Sequence, residues 1–253
     1  MLSELLPDSL FAFLLTFVRL GACLMFLPVM GEPWVSARIR LLFALLLTLI
    51  VQPAVAPLLP AMPAGALQLG LLVLGEALIG VFLGLLGRVF ITALTTAGMI
   101  IAYSSSLANA LVDDPSAAQQ GSIFGSFLTI VALLMIMALN LHHLFIQAAV
   151  DSYGLIAPGR PLPVEDLSRM MTEVVARSFL VAMKLSLPFI AASVIFYLGL
   201  GVLGRLMPQM QVFFVAIPLQ IAIGLLVLTV SMAAVMQVFL GELELTYLPF
   251  ALN

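Results

Sequence analysis

Gly75-Glu-Ala-Leu-Ile-Gly80-Val-Phe-Leu-Gly84-Leu-Leu-Gly87-Arg88 is the stretch on which the reading of the fold turns. It sits in an apolar run from Ala66 to about Ala110, roughly twice the length a helix needs to cross hydrocarbon. At about 100° per residue, Glu76, Gly80, Gly84 and Gly87 share one narrow face. Small residues on one face let two helices approach closely, and Gly80-xxx-Gly84 has the spacing that does so. A charge at mid-membrane costs about 2.5–3.5 kcal/mol on the insertion scale, so Glu76 is expected to face another protein helix or a wet cavity. The plain reading is a structural hydrogen bond at a packing face. A proton or ion relay would need further carboxylates, which the stretch lacks.

The rest of the chain agrees with a membrane reading. Of 253 residues, 64% are hydrophobic and 8% charged, against roughly 25% charged in a soluble domain. Nine Lys and Arg against twelve Asp and Glu give a net charge of −3 and no basic patch, which speaks against nucleic acid as a partner. The single cysteine, Cys23, permits neither an internal disulfide nor a thiolate metal cluster. Further apolar regions run over Leu10–Val29, Ile39–Leu59, Ile123–Val150, Phe179–Leu203 and Val212–Leu240. The first has Glu4 and Asp8 upstream and no cation, so it is read as a mature helix rather than a signal peptide. The second is expected to stop at Pro53, Pro57, Pro60 and Pro63. No strand signal competes: the fold class is all-α, a polytopic membrane protein of helical hairpins kinked at Pro and Gly, in a single membrane domain.

Cutting Ala66–Ala110 into two crossings, rather than one long kinked helix, gives an orientation. Arg38, Arg40, Arg88, Arg160, Arg169 and Arg177 then share the cytoplasmic side, with Asp113 and Asp114 opposite and Arg205 dissenting. The N-terminus would lie outside and the C-terminus inside.

Several features call for a specific reason. Arg19 interrupts the first apolar region at its middle. Val164–Arg177 is amphipathic, with Glu165, Arg169, Glu173 and Arg177 descending one face in the favourable acid-first order and Lys184 continuing that stripe. That face is either simply solvated or a docking surface for a cytoplasmic partner. Tyr103–Ser122 is polar and rich in small residues, with Asp114-Pro115 as a turn signal. A plain loop explains it, and so does a displaceable segment tucked into a pore. His142 and His143 point about 100° apart on a helix and have no carboxylate or cysteine at ligand spacing, so no metal and no cofactor are expected. Pro188 and Pro218 should kink the last two spans, a feature shared with secondary transporters. Few polar residues stand near them, however.

Arg19, then Pro28, Gly31 and Arg40, Gly75-Glu76, Asp114-Pro115, Asn140–Tyr153 followed by Pro158, and Pro208-Gln-Met-Gln-Val-Phe213 with Pro218–Ile221 behind it occur in an order and spacing that is familiar. On these residues the chain resembles the FliR/SctT family of type III secretion export-gate subunits over essentially its whole length. It departs from the family at Leu141, Gln211 and the serines 104–106. The resemblance implies a non-enzymatic structural and gating subunit of the flagellar export gate. Such a subunit joins FliP and FliQ, with FlhB and FlhA as further partners, in a pore that carries unfolded proteins across the bacterial inner membrane. It also implies a FliP-like part over 1–149, a Pro/Gly loop and amphipathic helix over 150–178, a FliQ-like hairpin over 179–240 and a tail over 241–253. The loop 107–122, with Leu107, Asn109, Leu111, Asp113, Asp114, Pro115, Gln119 and Gln120, would help plug the closed pore. Pro208, Gln209, Met210, Val212 and Phe213 form the most specific motif. The gate of this family sits at the flagellar basal body, displaced towards the periplasm, so apolar stretches need not be literal crossings of lipid. Arg19, Glu76, Arg88 and Lys184 are then expected as buried contacts within or between subunits. The rival readings are a stand-alone secondary transporter with broken helices and a passive membrane scaffold.

Overall fold

The computed structural model describes residues 2–106, 122–207 and 212–251. These form α1 (Leu2–Phe26), α2 (Ala37–Val55) with a short 3₁₀ turn (Ala56–Leu58), α3 (Ala66–Ser104), α4 (Ile123–Ala138), α5 (Leu141–Leu155), α6 (Val164–Leu206) and α7 (Val212–Ala251). Among the described residues there is no strand. Five helices are long and apolar enough to cross a membrane, and the pair α4–α5 would make a sixth.

Local chemistry sets the boundaries. The Ser36 side chain accepts from the Ile39 amide and starts α2. That helix runs through Pro53 to Val55 and the 3₁₀ turn ends at Leu58, close to the expected end at about Leu59. A proline so close to the end disturbs only the last turn, and Pro57 then sits in the 3₁₀ turn. Asn140, at φ 59°, takes the left-handed conformation that asparagine tolerates, and the chain bends by 74° between α4 and α5. The expected span Ile123–Val150 is thus a broken one. α6 opens with Glu165 and Asp166 in its first turn and ends with Arg205 in its last, the arrangement that complements the helix dipole. The amphipathic segment and the following apolar run are one helix of 43 residues.

The division of Ala66–Ala110 into two crossings is overturned, because Ala66–Ser104 is a single helix of 39 residues. Gly80, Gly84, Gly87 and Gly98 sit where a neighbour needs room, and none of them breaks it. The orientation based on alternating crossings loses its footing with that division.

The chain forms two compact units. The first comprises Met1–Phe90, Met135–Val175 and Leu243–Asn253. Leu15, Leu20, Leu83, Leu86, Phe90, Phe145, Tyr153 and Tyr247 are buried there. Phe145 and Tyr247 meet with ring centroids 4.8 Å apart, and the Tyr247 hydroxyl donates to the Leu83 carbonyl at 3.0 Å. The second comprises Ile91–Leu134 and Ala176–Glu242. Its core holds Leu94, Ile101, Leu128, Val181, Leu185, Phe189 and Phe239. In it α3 and α4 cross at Gly98 and Gly125, where a Cβ on Gly98 would overlap the Gly125 backbone. Ser122 Oγ donates to the Gly98 carbonyl at 2.7 Å beside this crossing.

Candidate functional site

The glycine face of α3 is where α1 lies. A Cβ on Gly80 would strike the Arg19 carbonyl, and one on Gly84 would come within 2.5 Å of the Cys23 carbonyl and 2.7 Å of Phe26 Cβ. One on Gly87 would meet Pro28 Cδ and the Tyr247 hydroxyl, each at 2.7 Å. This close approach carries the Arg19 side chain across to Glu76, on the same face of α3.

The guanidinium engages both carboxylate oxygens, with Nε donating to Oε2 at 2.6 Å and Nη2 to Oε1 at 3.0 Å. Such a fork is the geometry in which arginine pairs best with a carboxylate. Two further donors are used: Nη1 reaches Ser152 Oγ at 3.2 Å and Nη2 the Ile156 carbonyl at 3.0 Å. Ser152 Oγ in turn donates to the Ala149 carbonyl at 2.7 Å. The Tyr153 ring lies under the guanidinium, 4.0 Å from its centroid, and the Tyr153 hydroxyl reaches the Thr16 carbonyl at 3.4 Å. Arg19 is 0% and Glu76 2% exposed. Burying two charges is costly, and it becomes tolerable only when geometry and the extra hydrogen bonds are this complete.

A cleft of about 400 Å³ opens beside this cluster, lined by Gln68, Leu72, Gly75, Glu76, Arg160 and Leu162 among others. Glu76 borders it with both oxygens already held by Arg19.

The other singled-out charges are placed differently. Arg88 is 43% exposed; it lies 3.6 Å from Glu32 and donates to the Gly31 carbonyl at 3.4 Å. Lys184 is 46% exposed and meets Glu242 at 2.8 Å. Of the acid-first pairs on α6, Glu165–Arg169 closes at 3.3 Å on the surface. Arg40 staples the α1–α2 connection by donating to the carbonyls of Glu32 and Val35 at 2.7 and 2.9 Å. Gly31 is required inside that connection, since a Cβ would lie 2.8 Å from the Met25 carbonyl oxygen. Val29 holds a φ of 72°, unusual for a β-branched residue. His142 and His143 stack on one another at 4.1 Å, and among the described residues no group of three metal-ligating side chains forms.

Leu107, Asn109, Leu111, Asp113, Asp114, Pro115, Gln119 and Gln120 lie outside the described residues, as do Pro208, Gln209 and Met210; Val212 and Phe213 open α7. Sequence reasoning had singled out Arg19 and Glu76 separately, as two costly charges, without pairing them. It passed over Ser152 and the Ile156 carbonyl. The available signal was the small polar pair Ser152-Tyr153 closing the Asn140–Tyr153 motif.

Long apolar helices clamped by a fully engaged buried ion pair define a polytopic α-helical membrane protein. The chain belongs to the bacterial export proteins, family 1, which it matches over residues 10–246. It is 40% identical to the flagellar biosynthetic protein FliR of Caulobacter vibrioides, over 89% of this chain and 90% of that protein. It is 31% identical to FliR of Bacillus subtilis, over 93% and 91% of the two chains. The Yop proteins translocation protein T of Yersinia pestis is 27% identical over 91% of this chain and 89% of its own.

Proposed function

We propose that this protein is a structural and gating subunit of the flagellar type III protein export gate in the bacterial inner membrane. It assembles with FliP and FliQ, near FlhB and FlhA, into a pore for unfolded proteins and performs no chemistry of its own. Kinship to FliR proteins over nearly the whole chain favours the flagellar system.

The observation that carries assembly is helix length. α3, α6 and α7 have 39, 43 and 40 residues, and at 1.5 Å per residue each is about 60 Å long. The hydrocarbon core is only about 30 Å thick, and an ordinary tilt of about 20° barely shortens a helix's span along the membrane normal. Yet large apolar side chains stand exposed along these helices: Leu67 and Met99 on α3, Phe179 and Leu206 on α6, Ile217 and Leu245 on α7. The α6 pair, both within the second unit, is about 40 Å apart along the axis. Lipid tails cannot cover both ends of such a helix, so homologous subunits are the natural cover. A gate raised towards the periplasm supplies that cover. A transporter working alone does not, and the engagement of both Glu76 oxygens by Arg19 further weakens an ion-relay role.

Within this reading, 1–149 acts as the FliP-like part and 179–240 as the FliQ-like hairpin, while the loop 107–122 obstructs the pore axis. Arg19 and Glu76 hold the fold of this subunit, and the half-exposed Arg88 and Lys184 stand where neighbouring subunits can meet them. Two measurements test this. Gentle solubilisation followed by native mass determination should yield a mixed assembly with small helical membrane proteins; a well-folded lone monomer would overturn the subunit assignment. Deleting residues 109–120 should leave that assembly intact and make the membrane leaky to small solutes. Unchanged conductance would remove the plug.

A further inference from the structure

We infer that Gln220 on α7 is a positioning residue that pins the C-terminal end of α3, and so fixes where the chain leaves that helix. The inference concerns side chains within the second unit. Its consequence for conduction rests on the gate reading above.

A helix end leaves carbonyls without partners, and a buried end must find donors elsewhere. At the end of α3 these are supplied almost one by one. Ser104 Oγ donates to the Ile100 carbonyl at 2.8 Å, and both the Ser105 amide and Ser105 Oγ donate to that of Ile101, at 2.9 and 2.8 Å. The Ser106 amide reaches the Tyr103 carbonyl at 3.3 Å. A donor to the Ser104 carbonyl comes from another helix, next to the point where Ser106, at φ 56°, turns the chain in the left-handed conformation. Gln220 Nε2 fills that role from α7, donating to the Ser104 carbonyl at 2.7 Å. Its other end is used as well: Oε1 accepts from Ser106 Oγ at 2.8 Å.

The amide lets one buried side chain donate through Nε2 and accept through Oε1 at once. Gln220 is 4% exposed in a strongly apolar helix, where an unsatisfied amide would be penalised. One turn further along, Gly224 gives Ser105 room: a Cβ there would lie 2.6 Å from the Ser105 Cβ. Gln220 and Gly224 thus form a seat on α7, the first holding the serine turn and the second admitting it. Ser105 and Ser106 are 3% and 4% exposed in that seat. The serine triplet 104–106 is what the seat reads.

The test is hydrogen exchange by mass spectrometry on the full chain in its native membrane assembly. Gln220→Leu keeps volume and removes the two bonds to the end of α3, together with a third that Nε2 donates to the Tyr197 hydroxyl at 3.3 Å. Exchange at the Ser105 and Ser106 amides should quicken by about ten- to thirty-fold, as expected for two lost neutral hydrogen bonds, while the Gly98–Ile101 amides stay protected. Gln220→Glu keeps an acceptor for Ser106 and can donate to Ser104 only while its carboxyl is protonated, and should fall between. Ser106→Gly removes the hydroxyl at a backbone conformation glycine prefers, so it yields a second reading should the glutamine variants fail to assemble. Unchanged exchange in Gln220→Leu, or in Ser106→Gly where the former does not assemble, overturns the pin. Solute leakage through the same membranes is read separately. Faster exchange with a leaky membrane supports both the pin and the plug, whereas faster exchange with a tight membrane keeps the pin and removes the plug.

Discussion

Replacing Glu76 by alanine leaves Arg19 as a charge at 0% exposure whose only other acceptors are Ser152 Oγ and the Ile156 carbonyl. Breaking a buried pair from one side costs about 3–5 kcal/mol, a large share of the roughly 5–15 kcal/mol that holds a domain together. For a chain of this size, that corresponds to a lowering of the thermal midpoint by about 6–20 °C. The chain carries its own reporter. Cys23 is its single cysteine, 1% exposed on α1, with its carbonyl against Gly84. A maleimide dye that fluoresces on reacting with the thiol therefore reads the separation of α1 from α3 during heating. The double replacement Arg19→Met with Glu76→Leu discriminates the cause. It removes both charges and refills the space, and a buried pair so exchanged is often neutral or better. Here the Ile156 carbonyl would lose a donor, at about 1–3 kcal/mol, so the double variant should melt within several degrees of the parent and above Glu76→Ala. A double variant that melts as low as the sum of its single changes would refute the coupling. So would a Glu76→Ala midpoint equal to the parent's, since the pair would then not clamp α1 to α3.

Two further outcomes follow from the same geometry. Gly84→Leu should raise Cys23 reactivity and lower the midpoint, because even its Cβ overlaps the α1 backbone, and such overpacking costs about 1–3 kcal/mol or more. Gly75→Ala, one residue before Glu76 with nothing within 4 Å of the added carbon, should be neutral or stabilise by up to about 1 kcal/mol. Arg88→Gln and Lys184→Gln remove half-exposed partners of Glu32 and Glu242, and pairs of that kind contribute about 0–1 kcal/mol. Their melting curves should shift by no more than about 4 °C. A larger loss of mixed-assembly yield than of midpoint would mark those cations as contacts between subunits.

The hydrophobic pattern by itself determined that this chain is all-α and belongs in a membrane, because apolar run length and the scarcity of charge are properties of local sequence. It also put Glu76, Gly80, Gly84 and Gly87 on one face, since helical periodicity is local too. The partner of that face was beyond its reach. Arg19 and Glu76 are 57 residues apart, and nothing in either segment encodes the other. The same holds for Gln220 and Ser106, 114 apart. Helix continuity likewise had to be seen in three dimensions: a glycine-rich run of 39 residues reads as two crossings until Gly80, Gly84, Gly87 and Gly98 are found opposite neighbours that need the missing side chain. Composition fixes which solvent a chain tolerates, while the pairing of buried polar groups depends on which backbones come close enough to share them.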